Sequence, residues 1–260
     1  MALKTLLLAG SLALGLAVPA LAETITVGVT PGEQGEIMEK VQEIAAKDGL
    51  DIKVLEFSDY VVPNQALADG ELDANAFQHQ PYLDAQIADR GFDIVAVAPT
   101  INTPMGVYSN KVEKIDDLPE GAKVAIPNDP TNGGRALLLL QDAGLITLDP
   151  DAGLKATPLD VTDNPKNIDI IELDAAQLPR SLPDVDAAAI NTNYALEAGL
   201  DPRADAIAKE SAKSPYVNVI AVRSEDKDAE WVKRFVKAYH DEAIRDFINE
   251  RFNGAVIASW

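Results

Sequence analysis

The stretch Asn75-Ala76-Phe77-Gln78-His79-Gln80-Pro81-Tyr82 combines a signal for the fold with a concentration of recognition chemistry. It contains one of the two histidines and two aromatic residues, in a chain that is only 5% aromatic. The residues up to Phe77 are typical of a short strand, and Pro81 suits the start of a helix. Because open α/β sheets bind ligands at the carboxyl ends of their strands, Phe77, His79 and Tyr82 are predicted to face a ligand site.

Strand and helix patterns alternate along the rest of the chain and predict an α/β fold with mainly parallel strands. A connecting segment at residues 110–121 interrupts this alternation, and a second unit begins with the strand pattern at 123–127. The β-branched stretch 216–223 is predicted to cross back to the first unit. An apolar stripe at helical spacing over 230–252 predicts one long terminal helix.

Residues 185–195 repeat features of residues 72–83, since each stretch has a short apolar strand, amide side chains and a tyrosine that begins a helix. The likeness either indicates two lobes that present matching strand ends to a shared cleft, or reflects only the common construction of α/β units. On the first interpretation Asn191, Asn193 and Asn218 meet the cleft. Their amides offer both donors and acceptors, which suits the ammonium and carboxylate groups of an amino acid.

Tyr60 follows the strand pattern at 52–57 and is predicted to face the same cleft as Phe77 and Tyr82. A single aromatic residue belongs more often to a core than to a ligand wall. The shared placement of these three at strand ends, beside polar groups, favours a ligand wall instead.

Arg135 ends a second informative stretch, residues 128–135, which lies between a strand pattern and an apolar helix. Thr131 or Asn132 is expected to cap that helix, and glycines in the stretch would let backbone N–H groups approach a ligand. A guanidinium beside a helix amino terminus suits a carboxylate or phosphate. The alternative is an ordinary cap with a solvated arginine. On the first interpretation, loss of Arg135 weakens binding and barely changes the melting temperature.

Neither a metal centre nor a catalytic site has support in the sequence. With two histidines and no cysteine, a His-rich or Cys-rich metal site is excluded and an all-carboxylate site is unsupported. No Gly-x-Ser-x-Gly, Walker or His-Glu-x-x-His motif occurs. His79 is therefore expected to hydrogen-bond a ligand or a neighbour, and no cofactor is expected.

Residues 1–22 have the pattern of a cleaved secretory signal peptide, with Lys4, a short apolar run and the small-x-small end Ala20-Leu21-Ala22. A membrane anchor is the alternative, but the apolar run is shorter than the roughly 20 residues that span a bilayer. The net charge of −20 argues against nucleic acid and against anionic membrane surfaces.

Taken together, these residues resemble the NlpA/MetQ family of methionine-binding proteins of ABC importers. The motifs that carry the resemblance are Phe-Gln-His-x-Pro-Tyr, Ala-Pro-Thr-x-x-x-x-Pro-Met-Gly-x-Tyr-Ser, Pro-Asn-Asp-x-x-Asn-x-x-Arg-Ala and Ser-Pro-Tyr-Val-Asn, at residues 77–82, 98–109, 127–136 and 214–218. The resemblance covers essentially the whole chain after residue 22. It implies a type II-like periplasmic binding fold of two lobes, each a mixed sheet flanked by helices, joined by crossing strands. The expected division is residues 23–109 plus 216–260 for the first lobe and 110–215 for the second.

The resemblance also implies a role for each candidate residue. Tyr60, Phe77 and Tyr82 would surround the ligand's side chain, and His79 would add a polar contact. The ligand's carboxylate would be held by Arg135, and its backbone groups by Asn193 and Asn218. Asn191 is a further candidate, because the family's asparagine can be aligned on either side of Thr192.

The function implied is capture of an amino acid, methionine first, and its delivery to a permease and ATPase complex in the inner membrane by a monomeric, non-enzymatic protein. The alternatives are a protein of the same fold for another amino acid or a short peptide, or an exported hydrolase. Many members carry a lipidated cysteine after the signal, whereas this chain has Ala22-Glu23. A freely diffusing periplasmic protein without a lipidated cysteine is therefore expected.

Overall fold

The computed structural model describes residues 23–211 and 213–260, so the predicted signal peptide at 1–22 lies outside the described residues. In the described part the strands are β1 Glu23–Val29, β2 Leu50–Glu56, β3 Ala74–Asn75, β4 Ile94–Asn102, β5 Gly106–Tyr108, β6 Lys123–Pro127, β7 Thr147–Leu148, β8 Val161–Asp163, β9 Asp169–Leu173, β10 Ala187–Ile190, β11 Ala206–Lys209, β12 Val217–Arg223 and β13 Ile257–Ala258. The α-helices are α1 Glu33–Ala45, α2 Val62–Ala68, α3 Gln80–Arg90, α4 Pro130–Asp142, α5 Leu178–Ser181, α6 Thr192–Glu197, α7 Glu230–Tyr239 and α8 Glu242–Phe252. None of the described helices is long and apolar enough to cross a membrane.

The first sheet has the strand order β13-β4-β12-β3-β1-β2. Its strands β1, β2 and β3 are parallel, whereas β12 runs antiparallel to both of its neighbours. Alternate side chains of β12 point to opposite faces: Val219 and Ala221 pack with α2 and α3, and Ile220 and Val222 with α1, α7 and α8. Helices therefore cover both faces, which explains why β12 is apolar at successive positions.

The second sheet has the order β11-β5-β10-β6-β9, in which β6, β9 and β10 are parallel and β5 is antiparallel to its neighbours. Ala187 and Ala189 of β10 pack on the α4 side, and Ala188 and Ile190 pack on the side of α5 and α6. Each sheet thus has its own core, and the predicted two-lobed α/β fold is confirmed.

The chain passes between the two sheets at two places. Residues 103–105 connect β4 of the first sheet with β5 of the second, and the return runs between Lys209 of β11 and Val217 of β12. The expected division placed Gly106–Tyr108 in the first lobe, but this strand pairs with β10 and β11 of the second sheet. The sheet that a three-residue strand joins is set by its pairing with other strands, and the hydrophobic pattern of so short a strand does not reveal the pairing.

The single terminal helix predicted over 230–252 is wrong. Helix α7 ends at Tyr239, and α8 begins after Asp241, whose carboxylate accepts a hydrogen bond from the backbone N–H of Ala243 at 2.9 Å. An aspartate in this position is a strong helix N-cap. The apolar stripe continues across the break because α7 and α8 pack on the same core.

Helix α4 begins earlier than the sequence indicated, and its cap is also different. The N-cap is Asp129, whose carboxylate accepts from the backbone N–H of Asn132 at 2.9 Å, and Thr131 and Asn132 lie inside the first turn. The neighbouring glycines are therefore helical and do not form a ligand-binding loop. A Cβ on Gly134 would stand 2.4 Å from the carbonyl oxygen of Leu154, so this glycine allows the chain to pass close to the helix.

We expect Gly134→Ala to lower the free energy of unfolding by about 1–3 kcal/mol, because backbone must move to admit the methyl group. Gly35→Ala is the matched control, since a Cβ there would meet the movable carboxylate end of Glu56 and alanine is the better helix former. Urea unfolding of both variants measures the difference. Equal stabilities would contradict the packing role given to Gly134.

Candidate functional site

One cavity lies between the two sheets and gathers residues that follow the ends of several strands. Its free space, including the part open to solvent, is about 360 Å³. All eight residues predicted for the site line it, namely Tyr60, Phe77, His79, Tyr82, Arg135, Asn191, Asn193 and Asn218. Five further lining residues were not predicted, namely Thr30, Glu33, Gln78, Thr103 and Asn132.

The fold brings these residues together because parallel strands end at the same edge of each sheet. Glu33 and Tyr60 follow β1 and β2, and His79 follows β3. From the second sheet, α4 supplies Arg135 and the start of α6 supplies Asn193. The matching ends of β3 and β10 thus reach one cavity, as the likeness between residues 72–83 and 185–195 suggested.

Three aromatic side chains form a continuous wall of the cavity. The ring centroid of Phe77 lies 6.0 Å from that of Tyr60 and 6.2 Å from that of Tyr82, and the Tyr60 and Tyr82 centroids are 6.2 Å apart. The Tyr82 hydroxyl donates to the carbonyl oxygen of Tyr60 at 2.9 Å. This bond occupies the polar end of Tyr82 and leaves ring surface for an apolar group.

His79 is the N-cap of α3, and both of its ring nitrogens are engaged. Nδ1 accepts a hydrogen bond from the backbone N–H of Tyr82 at 3.1 Å, so the ring proton is on Nε2, which lies 3.2 Å from Oδ1 of Asn132. Burial and the nearby positive charge of Arg135 lower the pKa of His79 to about 3. The imidazole is therefore neutral at physiological pH and joins the two sheets through Asn132.

Arg135 is buried and already has a carboxylate partner. Its Nε and Nη2 donate to the two oxygens of Glu210 at 2.8 and 2.6 Å, and Nη2 also donates to the carbonyl oxygen of Thr103 at 2.8 Å. The Tyr216 ring centroid lies 4.5 Å from the guanidinium carbon. Arg135 is therefore not a solvated arginine, and it is not free to serve a ligand alone. Glu210 and Thr103 hold the Nε and Nη2 side of its guanidinium in place.

An amide relay connects α4 with the residues after β10. Oδ1 of Asn132 accepts from Nδ2 of Asn191 at 2.9 Å, and Nδ2 of Asn132 donates to the carboxylate of Asp129 at 3.0 and 3.1 Å. On the other side of the cavity, Gln78 is held by hydrogen bonds with Asn64. These bonds fix the orientation of amides that would otherwise rotate.

Polar atoms that face the cavity include three buried ones without a hydrogen-bond partner among the described residues. They are Oε2 of Glu33, Oδ1 of Asn191 and Nδ2 of Asn193. An unpaired buried polar atom costs about 1–3 kcal/mol, so several in one cavity indicate a site for a polar molecule. Two acceptors and a donor are available, which suits a ligand with both kinds of group.

The two sides of the cavity also contact each other directly. The Tyr60 hydroxyl donates to Oδ1 of Asn193 at 2.5 Å, and the Tyr194 hydroxyl donates to the carbonyl oxygen of Ser58 at 3.3 Å. Each of these bonds joins a residue that follows a first-sheet strand to one on α6. The two lobes are therefore in direct contact beside the cavity.

Similarity to known proteins extends over nearly all of the chain. D-methionine-binding lipoprotein MetQ from Escherichia coli (strain K12) is 51% identical over 239 residues, which are 91% of this chain and 88% of that protein. A solved nutrient-binding protein from Burkholderia cenocepacia bound to methionine is 56% identical, with a TM-score of 0.89 over 91% of this chain and all of that one. The crystal structure of the methionine-binding protein MetQ is 50% identical, with a TM-score of 0.89 over 91% of this chain and 98% of that one.

These comparisons correct the localisation inferred from the sequence. Relatives at about half identity are named lipoproteins, and that name contradicts the expectation of a freely diffusing protein without a lipidated cysteine. The expectation rested on Ala22-Glu23 at the place where many family members carry the cysteine, and on a composition without cysteine. Composition is therefore not a sufficient basis for assigning the location of this chain.

The family comparison agrees with the sequence motifs and with the fold. The model of the NlpA lipoprotein family matches residues 25–260, which include all the described strands except the first two residues of β1. The structural neighbours have the same two-lobed architecture and superpose over about nine tenths of the chain. This chain belongs to the NlpA lipoprotein family.

Proposed function

We propose that this protein is a substrate-binding protein that captures methionine in the cavity between its lobes and delivers it to an ABC importer. The observation that carries the proposal is the lining of the cavity. An aromatic wall lies there together with buried hydrogen-bond donors and acceptors. The Burkholderia cenocepacia relative, solved with methionine, supports the choice of ligand.

Each part of methionine has a suitable counterpart in the cavity. The thioether would lie against Tyr60, Phe77 and Tyr82, where sulfur–aromatic contacts contribute roughly 0.3–1.5 kcal/mol beyond burial. The unpaired side of the Arg135 guanidinium would hold the carboxylate. Asn193 and Asn218 would bind the backbone groups.

His79 and Asn191 have supporting roles in this proposal. His79 is a polar contact of fixed tautomer at the cavity wall, and Asn191 directs its free Oδ1 there. Of the two asparagines that flank Thr192, Asn193 offers a donor and Asn191 an acceptor, so both would contact ligand atoms of opposite character.

We propose binding without catalysis. A histidine with a pKa of about 3 and two engaged nitrogens is a poor general base, and no described serine or threonine is within hydrogen-bond distance of it. Partners in this proposal are the importer's permease and ATPase, with the binding protein acting as a monomer. The two lobes would meet at residues 103–105 and between Lys209 and Val217.

Calorimetry tests the ligand after unfolding and refolding the protein to remove any copurified molecule. Titration with L-methionine, D-methionine, leucine, phenylalanine and glutamate is expected to give micromolar or tighter binding of a methionine enantiomer and weaker binding of the others. Leucine matches the volume but lacks the sulfur contact, so it is the critical competitor. A tenfold preference for leucine or for a polar amino acid would contradict methionine, and turnover of an ester or peptide would favour a hydrolase.

A further inference from the structure

Glu33 is a buried acid that lines the cavity, and it has no role in the function proposed above. It is the first residue of α1, its residue exposure is 2%, and its Oε2 has no hydrogen-bond partner among the described residues. The preceding Gly32 has a positive φ of 91° and packs against the backbone of Asn193, where a Cβ would meet the carbonyl oxygen at 3.2 Å. The turn therefore directs Glu33 into the cavity beside a proposed ligand contact.

The charged groups around Glu33 do not include a free cation in the described structure. On its own helix Glu36 is paired with Arg251 of α8, and Arg135 of α4 is paired with Glu210. The groups that Glu33 influences across the fold are the phenols of Tyr60 and of Tyr239 on α7. The cations of α7, namely Lys233, Arg234 and Lys237, are each paired with another acid. An ionised Glu33 would therefore be an uncompensated buried charge, which is strongly unfavourable.

An amino acid brings one positive and one negative group into a cavity, and each needs its own partner. Arg135 supplies the positive partner for the carboxylate. We propose, on the basis of the function proposed above, that the Glu33 carboxylate receives the ligand's α-ammonium group and that its proton passes to solvent as the ligand binds. No bond other than this O–H bond is broken, and total charge is conserved by the released proton.

The titration of Glu33 defines the pH window of this coupling. Burial raises the pKa of Glu33 to about 8, so the carboxyl is mainly protonated at neutral pH before ligand binds. An adjacent ammonium group lowers the pKa of a carboxyl toward its usual range. Between about pH 5 and pH 8, therefore, binding releases a proton, and affinity is expected to rise about tenfold per pH unit before levelling off.

Other titratable side chains that line the cavity do not change charge in this window. The pKa of His79 is about 3, and burial moves the pKa values of Tyr60 and Tyr82 above their ordinary value. A proton released on ligand binding between pH 6 and pH 7.5 is therefore assigned to Glu33.

Isothermal titration with methionine at pH 6.5, in buffers of different ionisation enthalpy, counts the protons released per ligand. About one is expected for the wild type and none for Glu33→Gln, whose affinity is also expected to be at least tenfold weaker at pH 8 and nearly independent of pH. Glu36→Gln is the matched control on the same helix and should keep the wild-type proton release. The deaminated analogue 4-(methylthio)butanoate should bind weakly and without proton release.

The outcomes separate this inference from the function on which it rests. Methionine binding without proton release by the wild type would overturn the role of Glu33 and leave the proposed function intact. Absence of methionine binding by the wild type would overturn the proposed function itself. The wild-type buffer series needs no variant, so the test stands even if Glu33→Gln does not fold.

Discussion

Replacing Arg135 with alanine is expected to weaken methionine binding by at least about thirtyfold, which corresponds to about 2 kcal/mol. A charge-assisted contact with a buried carboxylate typically costs 2–5 kcal/mol when it is truncated. The variant should also unfold more easily, because it leaves the Glu210 carboxylate, with a side-chain exposure of 10%, without its partner. The sequence alone predicted an unchanged melting temperature, and the ion pair with Glu210 reverses that expectation.

The two effects of this substitution need separate measurements and a control. Urea unfolding without ligand gives the loss of stability, and calorimetry on the folded variant gives the affinity. Arg223→Ala is the matched control, since Arg223 forms an ion pair with Asp226 at 2.8 Å in the first lobe and does not line the cavity. It should lose stability and keep its affinity. If Arg135→Ala binds methionine as the wild type does, the ligand's carboxylate is held elsewhere.

Phe77→Ala is expected to produce the next largest loss, by removing the central ring of the aromatic wall. Phe77 is 5% exposed, so the truncation should cost about 3–5 kcal/mol of stability. Affinity for methionine should fall at least tenfold, because burial of the thioether and its sulfur–aromatic contacts are lost together.

The ratio of methionine to leucine affinity shows which term is lost. If Phe77 supplies the sulfur contact, the ratio should fall toward one in Phe77→Ala. Phe77→Leu keeps an apolar side chain without a ring, so it should preserve only the part of the ratio that is due to shape. Phe247→Ala, in the first lobe and away from the cavity, controls for general destabilisation. An unchanged affinity in Phe77→Ala would remove the ring from the proposed site.

The positions of the candidate residues could be predicted because they depend on local patterns. Phe77, His79 and Tyr82 follow a strand and begin a helix, and the rule that strand ends form ligand sites places them without further information. Asn191 and Asn193 follow the same rule in the second unit. All of them line the cavity.

Partners distant in the chain could not be predicted in this way. Glu210 is one of 42 acidic residues, and nothing in its own neighbourhood indicates that it pairs with Arg135, which is 75 positions earlier. Glu33 also follows a strand end, so the same rule could have identified it. Its burial could not be predicted, because burial of this acid depends on how the two lobes meet.

The termini of helices were predictable in principle but were placed incorrectly. Asp129 and Asp241 are both strong N-cap residues, and the structure uses each of them. For α8 the apolar stripe outweighed the cap in the interpretation of the sequence, and for α4 the later candidates Thr131 and Asn132 were preferred to Asp129. Hydrophobic periodicity reports which face is buried, and it does not report where one helix ends and the next begins.

The order in which the sheets are completed has a consequence for synthesis. The second sheet consists of one continuous stretch from Gly106 to Lys209, whereas β12 at the centre of the first sheet begins at Val217. A growing chain can therefore complete the second sheet while the first still lacks its middle strand. Long-range pairing of β12 with β3 and β4 then closes loops of more than a hundred residues, so we expect this pairing to be the slow step of folding. Asn218 lies on that strand and lines the cavity, so the cavity is complete only after β12 has joined the first sheet.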